Sequence, residues 1–146
     1  MMIIGGLALV GAACFAGAAV YVAMVEQPAR LTLDDRALLA QWKPSYHRGF
    51  VMQSSLVLMT GLLGIAAFVT IGHSGTWIVG ATLMLVNWPY TLAVIRPTNQ
   101  KLMATPVESA GSDTRQLIKT WGGLHAVRAV LGAAATIAYL IALARS

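Results

Sequence analysis

The sequence predicts an all-α integral membrane protein, a four-helix antiparallel bundle with the bilayer as its solvent. Composition points there first: 58% of the 146 residues are hydrophobic and 10% are charged, against about 45–50% and about 25% in a soluble domain. Mean hydropathy is +0.71. Distribution is as telling, because no Lys, Arg, Asp or Glu occurs between Gly49 and Ile95. Four uncharged stretches reach the roughly 20 residues that a spanning helix needs, so residues 1–146 are read as a single transmembrane domain.

The first span is expected over 2–26. A removable signal peptide is a poor alternative, since the stretch lacks a basic n-region and its 24 uncharged residues exceed the about 7–15 of an h-region. In the connection that follows, Thr32 and Asp35 form a capping-box pattern, and Leu31, Leu38, Leu39 and Trp42 cover one side of a helix. An interfacial helix over 33–43, lying on the membrane surface with Trp42 as a border anchor, is therefore predicted. The second span is expected over 48–72, closed by the polar turn Gly72-His73-Ser74-Gly75. The third covers 76–95. The fourth covers 113–144, with Ser112 or Asp113 as N-cap. Gly5, Gly6, Gly11, Gly17, Gly61 and Gly64 fall inside apolar spans, where small residues let helices approach.

Orientation follows from the basic residues. The connection from 26 to 48 carries Arg30, Arg36, Lys43 and Arg48, and that from 96 to 120 carries Arg96, Lys101, Arg115 and Lys119. The opposite face has only Arg145. The positive-inside rule puts the connections in the cytoplasm and both termini outside it, with a bacterial inner membrane as the expected location. The net charge of +5 thus belongs to short connections, and no nucleic-acid partner is expected. Cys14 is the single cysteine, which excludes an intramolecular disulfide and a thiolate zinc site. No metal site and no phosphate-binding glycine fingerprint is read.

Polar groups gather at one end. Glu26 closes the first span, and Tyr46, His47 and Arg48 open the second. Asn87, Trp88 and Tyr90 lie in the same half of the third, followed by Arg96 and Asn99, while Trp121, His125 and Arg128 occupy the first two turns of the apolar run of the fourth, which starts at about Trp121. Arg30, Arg48, Arg96 and Lys101 are explained by snorkelling. Trp121, His125 and Arg128 stand at i, i+4 and i+7 and share a helix face. Arg128 is followed by sixteen uncharged residues, so it should face the interior and find a partner. Glu26, at the same depth, is the expected one. The alternatives are a structural clamp built on that pair and a binding or catalytic pocket.

The segments Val25-Glu26-Gln27-Pro28-Ala29-Arg30, Asn87-Trp88-Pro89-Tyr90-Thr91, Pro97-Thr98-Asn99-Gln100-Lys101-Leu102 and Trp121-Gly122-Gly123-Leu124-His125-Ala126-Val127-Arg128 resemble the anthrone oxygenase family over nearly the whole chain. The most specific are Pro-Thr-Asn-x-x-Leu and Trp-x-x-x-His-x-x-Arg. The resemblance implies a small membrane bundle that oxidises anthrones to anthraquinones with molecular oxygen, with no cofactor established.

An anthrone is a flat, phenolic, largely apolar tricycle that can enter a helix bundle sideways. Its oxidation needs a base that titrates near neutrality, a property of imidazole, so His125 and His47 are candidates. Arg128, Asn87 and Asn99 would stabilise the anion, with Glu26 completing the catalytic set. Trp88, Trp121, Tyr90 and Tyr46 would stack against the rings, and His47 and Asn99 would also line the substrate site. The expected partners are the bilayer, a hydrophobic aromatic small molecule and, in a homo-oligomer, a second copy of the chain. Two other classes stay open: haem or copper held by His47 and His125, and a structural or accessory membrane protein without chemistry.

Overall fold

The computed structural model describes residues 2–146, and four helices long and apolar enough to cross a membrane run through it: α1 Met2–Arg30, α2 Asp35–Thr70, α3 Gly75–Ala104 and α4 Ser112–Ala144. They form an antiparallel ring in which α1 and α3 each pack on both α2 and α4. The protein is an integral membrane four-helix bundle. At about 1.5 Å per residue, the 29 to 36 residues of these helices make rods of about 44–54 Å, well beyond the about 30 Å of hydrocarbon in a bilayer. The surplus length sits at the polar end.

Three helices differ there from the sequence reading. The expected interfacial helix over 33–43 does not lie apart from the second span: Asp35–Thr70 is one continuous helix. Its N-cap is Asp34, whose carboxylate accepts from the backbone N–H of Arg36 and of Ala37 at 3.0 Å each. The amphipathic spacing of this segment is real, but its apolar face meets protein instead of lipid. Leu38, Leu39 and Trp42, all fully buried, form a second core with Ile95, Leu102, Ile118 and Trp121. Trp42 is thus a core residue and not a border anchor.

The third helix does not stop at 95 but continues to Ala104, and the first passes 26 to reach Arg30. Each contains a proline near this end, Pro97 and Pro28. A proline inside a helix removes a hydrogen bond and crowds the carbonyl four residues back. Both helices absorb this with a π-turn just before it, Thr91–Ile95 in α3 and Val22–Glu26 in α1. Helix α4 begins one residue earlier than expected, with Gly111 as N-cap and its N–H donating to Thr114 Oγ1.

The other half of the bundle is packed through small residues. Tyr139 is fully buried between Gly64 and Gly80, where a Cβ on Gly80 would lie 2.5 Å from the ring; its hydroxyl donates to Thr60 O at 3.1 Å. Gly5, Gly11, Gly61 and Gly64 all press on a neighbouring side chain, whereas Gly6 and Gly17 face open space. Exposed Leu7, Val10, Leu62, Val69, Val130 and Ile137 supply the lipid-facing surface.

Basic side chains fasten the polar end. Arg115 donates to Leu31 O at 2.8 Å and Leu33 O at 2.5 Å and pairs with Asp35 at 2.5 Å. Lys43 donates to Met103 O at 3.1 Å and Thr105 O at 2.6 Å, capping the end of α3.

Candidate functional site

All four helices line one small cavity at the polar end, about 40 Å³ in volume. Helical spacing puts its side chains there. On α4 the face that carries Trp121, His125 and Arg128 turns inward, and all three are buried. On α3 the buried residues Asn87, Thr91, Ile95 and Asn99 recur every fourth position, and the wide π-turn between Thr91 and Ile95 helps keep a four-residue repeat on one face. Helix α2 contributes Tyr46, Gly49 and Gln53, and α1 contributes Val22 and Arg30.

The aromatic side of the cavity is a continuous stack. Trp42 lies parallel to Tyr46 at 4.8 Å and meets Trp121 edge-on at 5.6 Å, and Trp121 in turn stacks on His125. The Arg30 guanidinium sits 5.7 Å from the Trp121 ring centroid, and that of Arg128 sits 5.3 Å from Phe15, both within reach of a cation–π attraction.

The polar side is under-satisfied. Arg30, Gln53, Asn99, His125 and Arg128 are each 6% exposed or less. Among the described residues, Arg30 Nε and Nη1, Gln53 Oε1, Thr91 Oγ1, Asn99 Oδ1, His125 Nε2 and Arg128 Nε are buried without a hydrogen-bond partner. Each such group costs about 1–3 kcal/mol, and native interiors leave few of them. Their concentration round one cavity is the pattern of a place that receives polar atoms.

Glu26 does not pair with Arg128. Its carboxylate accepts from Arg30 and Ser45 in short contacts and from Gln41 at 3.2 Å. Arg30 stands four residues on, the favoured helical spacing for an ion pair, and its side chain is almost completely buried. It is therefore a cavity residue and does not snorkel. Glu26 stands behind it and lines a separate groove between α1 and α2. Among the described residues Arg128 makes no ion pair. A cation at the centre of a spanning helix costs about 2.5–3.5 kcal/mol on insertion scales, so the pairing clamp expected from the sequence is absent while the charge it was to neutralise remains.

Asn87 and Trp88 line a smaller hollow of about 10 Å³ on the far side of Arg128. The Asn87 amide donates to Leu83 O at 2.9 Å and Met84 O at 3.0 Å, and its Oδ1 is left without a partner. Tyr90 lines neither hollow; its hydroxyl donates to Leu124 O at 3.0 Å, bracing α3 against α4 beside His125. His47 is exposed on α2 and is not brought to His125, and His73 lies at the opposite end. Among the described residues no three His, Cys, Asp or Glu side chains gather as a metal would require. Of the two histidines read as haem or copper ligands, His125 lines the cavity and His47 does not.

Arg30, Gln53, Thr91 and Ser45 were missed as site residues. Gln53 is a long polar side chain near the start of the charge-free run, and Thr91 falls between Asn87 and Asn99 in their four-residue rhythm; both signals were present.

The family described as anthrone oxygenase matches this chain over residues 42–138. The match begins within α2 and ends within α4, taking in every cavity residue of α2, α3 and α4 and leaving out α1. Among curated proteins and among solved structures nothing matches. With about two thirds of its length matched, including the helix face of Trp121, His125 and Arg128, the chain belongs to the anthrone oxygenase family.

Proposed function

We propose that this protein oxidises a flat, lipophilic phenol of the anthrone class with molecular oxygen, without a cofactor, in the cavity between Arg30, His125 and Arg128. The carrying observation is electrostatic: two buried guanidinium groups border the cavity and one carboxylate answers them. An anion formed or bound there supplies the missing charge.

The chemistry balances without a reductant. An anthrone methylene that becomes a ketone gives up four electrons and two hydrogens, and dioxygen takes all four electrons. One oxygen atom stays on carbon and the other leaves as water. His125, whose Nε2 has no partner, takes the proton that turns the substrate into an electron-rich anion. Arg128 and Arg30 stabilise that anion and the peroxide that follows it, with the Asn99 amide beside them, while Asn87, whose amide N–H groups are taken by Leu83 O and Met84 O, stands outside the cavity. Trp121 and Tyr46 give the rings an aromatic wall, and Trp88 does the same beyond Arg128. Glu26 acts through Arg30 as a positioning residue. The proposal places this end of the bundle at the cytoplasmic border, since the basic connections belong there.

Purified protein in detergent, given dithranol (a dihydroxyanthrone) under isotopically labelled dioxygen, tests the reading. The expected result is a catalysed rate above spontaneous oxidation, with one labelled oxygen atom per anthraquinone. A rate equal to that of buffer, or unlabelled product, overturns it.

A further inference from the structure

We infer that the groove between α1 and α2 is a docking site for the same substrate, where a membrane-dissolved flat phenol is held before it enters the polar cavity, and that Gly49 keeps the wall between the two passable. The inference rests on the oxygenase reading and adds a place and a route.

Size separates the two spaces. The groove measures about 560 Å³, within the about 300–1,000 Å³ of ordinary ligand sites. The polar cavity measures about 40 Å³, which holds a few water-sized groups and no tricycle unless its wall yields. Val22, Ser45, Gly49 and Gln53 line both spaces, so a single layer of side chains divides them. On the α1 side that layer begins the π-turn Val22–Glu26, a local irregularity of the kind that accompanies functional sites.

Gly49 is unexplained by packing. It lies inside the long helix α2, where glycine is less favourable than alanine by about 0.5–1 kcal/mol. No described glycine has a positive φ, and a Cβ at Gly49 would meet nothing within 4 Å. Gly6, Gly17 and Gly123 are as open, but none of them lines either space. What the missing side chain leaves at Gly49 is a gap in the shared wall.

The groove also suits the proposed occupant. Ala18, Val22 and Met52 give it apolar walls, and Glu26, Gln41 and Arg48 give it a polar margin. Gln41 Oε1 is buried without a partner and can accept from a phenol O–H. A lipid acyl chain would leave it unsatisfied.

The test uses the full chain in phosphatidylcholine nanodiscs and stopped-flow quenching of tryptophan fluorescence by danthron, a dihydroxyanthraquinone that cannot turn over. Gly49→Leu is expected to slow association and dissociation together by about tenfold, because the same narrowed passage is crossed in both directions. Gly49→Ala should show a smaller slowing, and Gly17→Leu none. Val22→Phe narrows the same wall from α1 and must reproduce the effect, which keeps the test valid if Gly49→Leu does not fold. Unchanged rates in both wall variants, as when the groove holds only lipid, overturn the route. A weakened equilibrium with an unchanged association rate makes Gly49 part of the final seat and also overturns it. If the parent protein binds no danthron at all, the oxygenase reading fails and the route fails with it.

Discussion

Trp121 and His125 are stacked, their ring centroids 4.9 Å apart and their planes 17° from parallel. One helical turn separates them, so the indole fixes the imidazole plane while Trp42 fixes the indole from the side. The group assigned as base is therefore held by aromatic contact.

His125→Ala is expected to remove oxygen-dependent turnover by about 10²–10⁴-fold, the usual contribution of a positioned base. The loss of one aromatic contact, worth about 0.5–1.5 kcal/mol, leaves the bundle folded. Steady-state oxygen uptake beside a denaturant titration distinguishes the two effects; full activity in the variant rejects the role.

Arg128 behaves differently from a paired cation. Because it has no carboxylate partner among the described residues, Arg128→Met removes an uncompensated buried charge and should leave stability unchanged or raise it by about 1–3 kcal/mol. Turnover should fall by at least about 10²-fold with the loss of anion stabilisation. A clear drop in stability would show that the guanidinium is neutralised within the bundle.

For Glu26 and Arg30 the expectation reverses. Glu26→Gln leaves a nearly fully buried guanidinium without its counter-ion and should cost about 3 kcal/mol, at the low end for breaking a buried pair because Glu26 keeps some exposure. Adding Arg30→Met should restore most of that stability. A double-mutant cycle in unfolding free energy measures it, and additive losses would refute the coupling.

A reporter active only in the cytoplasm, fused after Ser146, should give no signal, as the eight-to-one bias of basic residues between the two faces requires. A strong signal inverts the orientation and moves the cavity to the other border.

Much of this was legible in the sequence because lipid is an exacting solvent. Every spanning segment must be apolar and hydrogen-bonded within itself, so the four crossings showed as charge-free runs. Periodicity also finds the buried face of Leu38, Leu39 and Trp42, but it does not say whether lipid or protein covers a face, so the upright end of α2 has the same pattern as a helix lying on the surface. Depth alone suggested Glu26 for Arg128, whereas the i, i+4 spacing to Arg30 was the stronger signal. The first and third spans were bounded where their uncharged runs stop, at Glu26 and before Arg96, since nothing in the residues announces that a π-turn carries each helix on through Pro28 and Pro97.

The seam between α1 and α2 is fastened at both of its ends. Arg115 ties their connection to α4, and Gly11 rests against Thr60 deep in the membrane half. Between those ends the seam runs past Gly49 and the π-turn of α1, and there Glu26 bridges to Ser45 and Gln41. A guest that parts the two helices at Gly49 therefore has to do so against a carboxylate latch, which makes Glu26 the keeper of the entrance as well as the partner of Arg30.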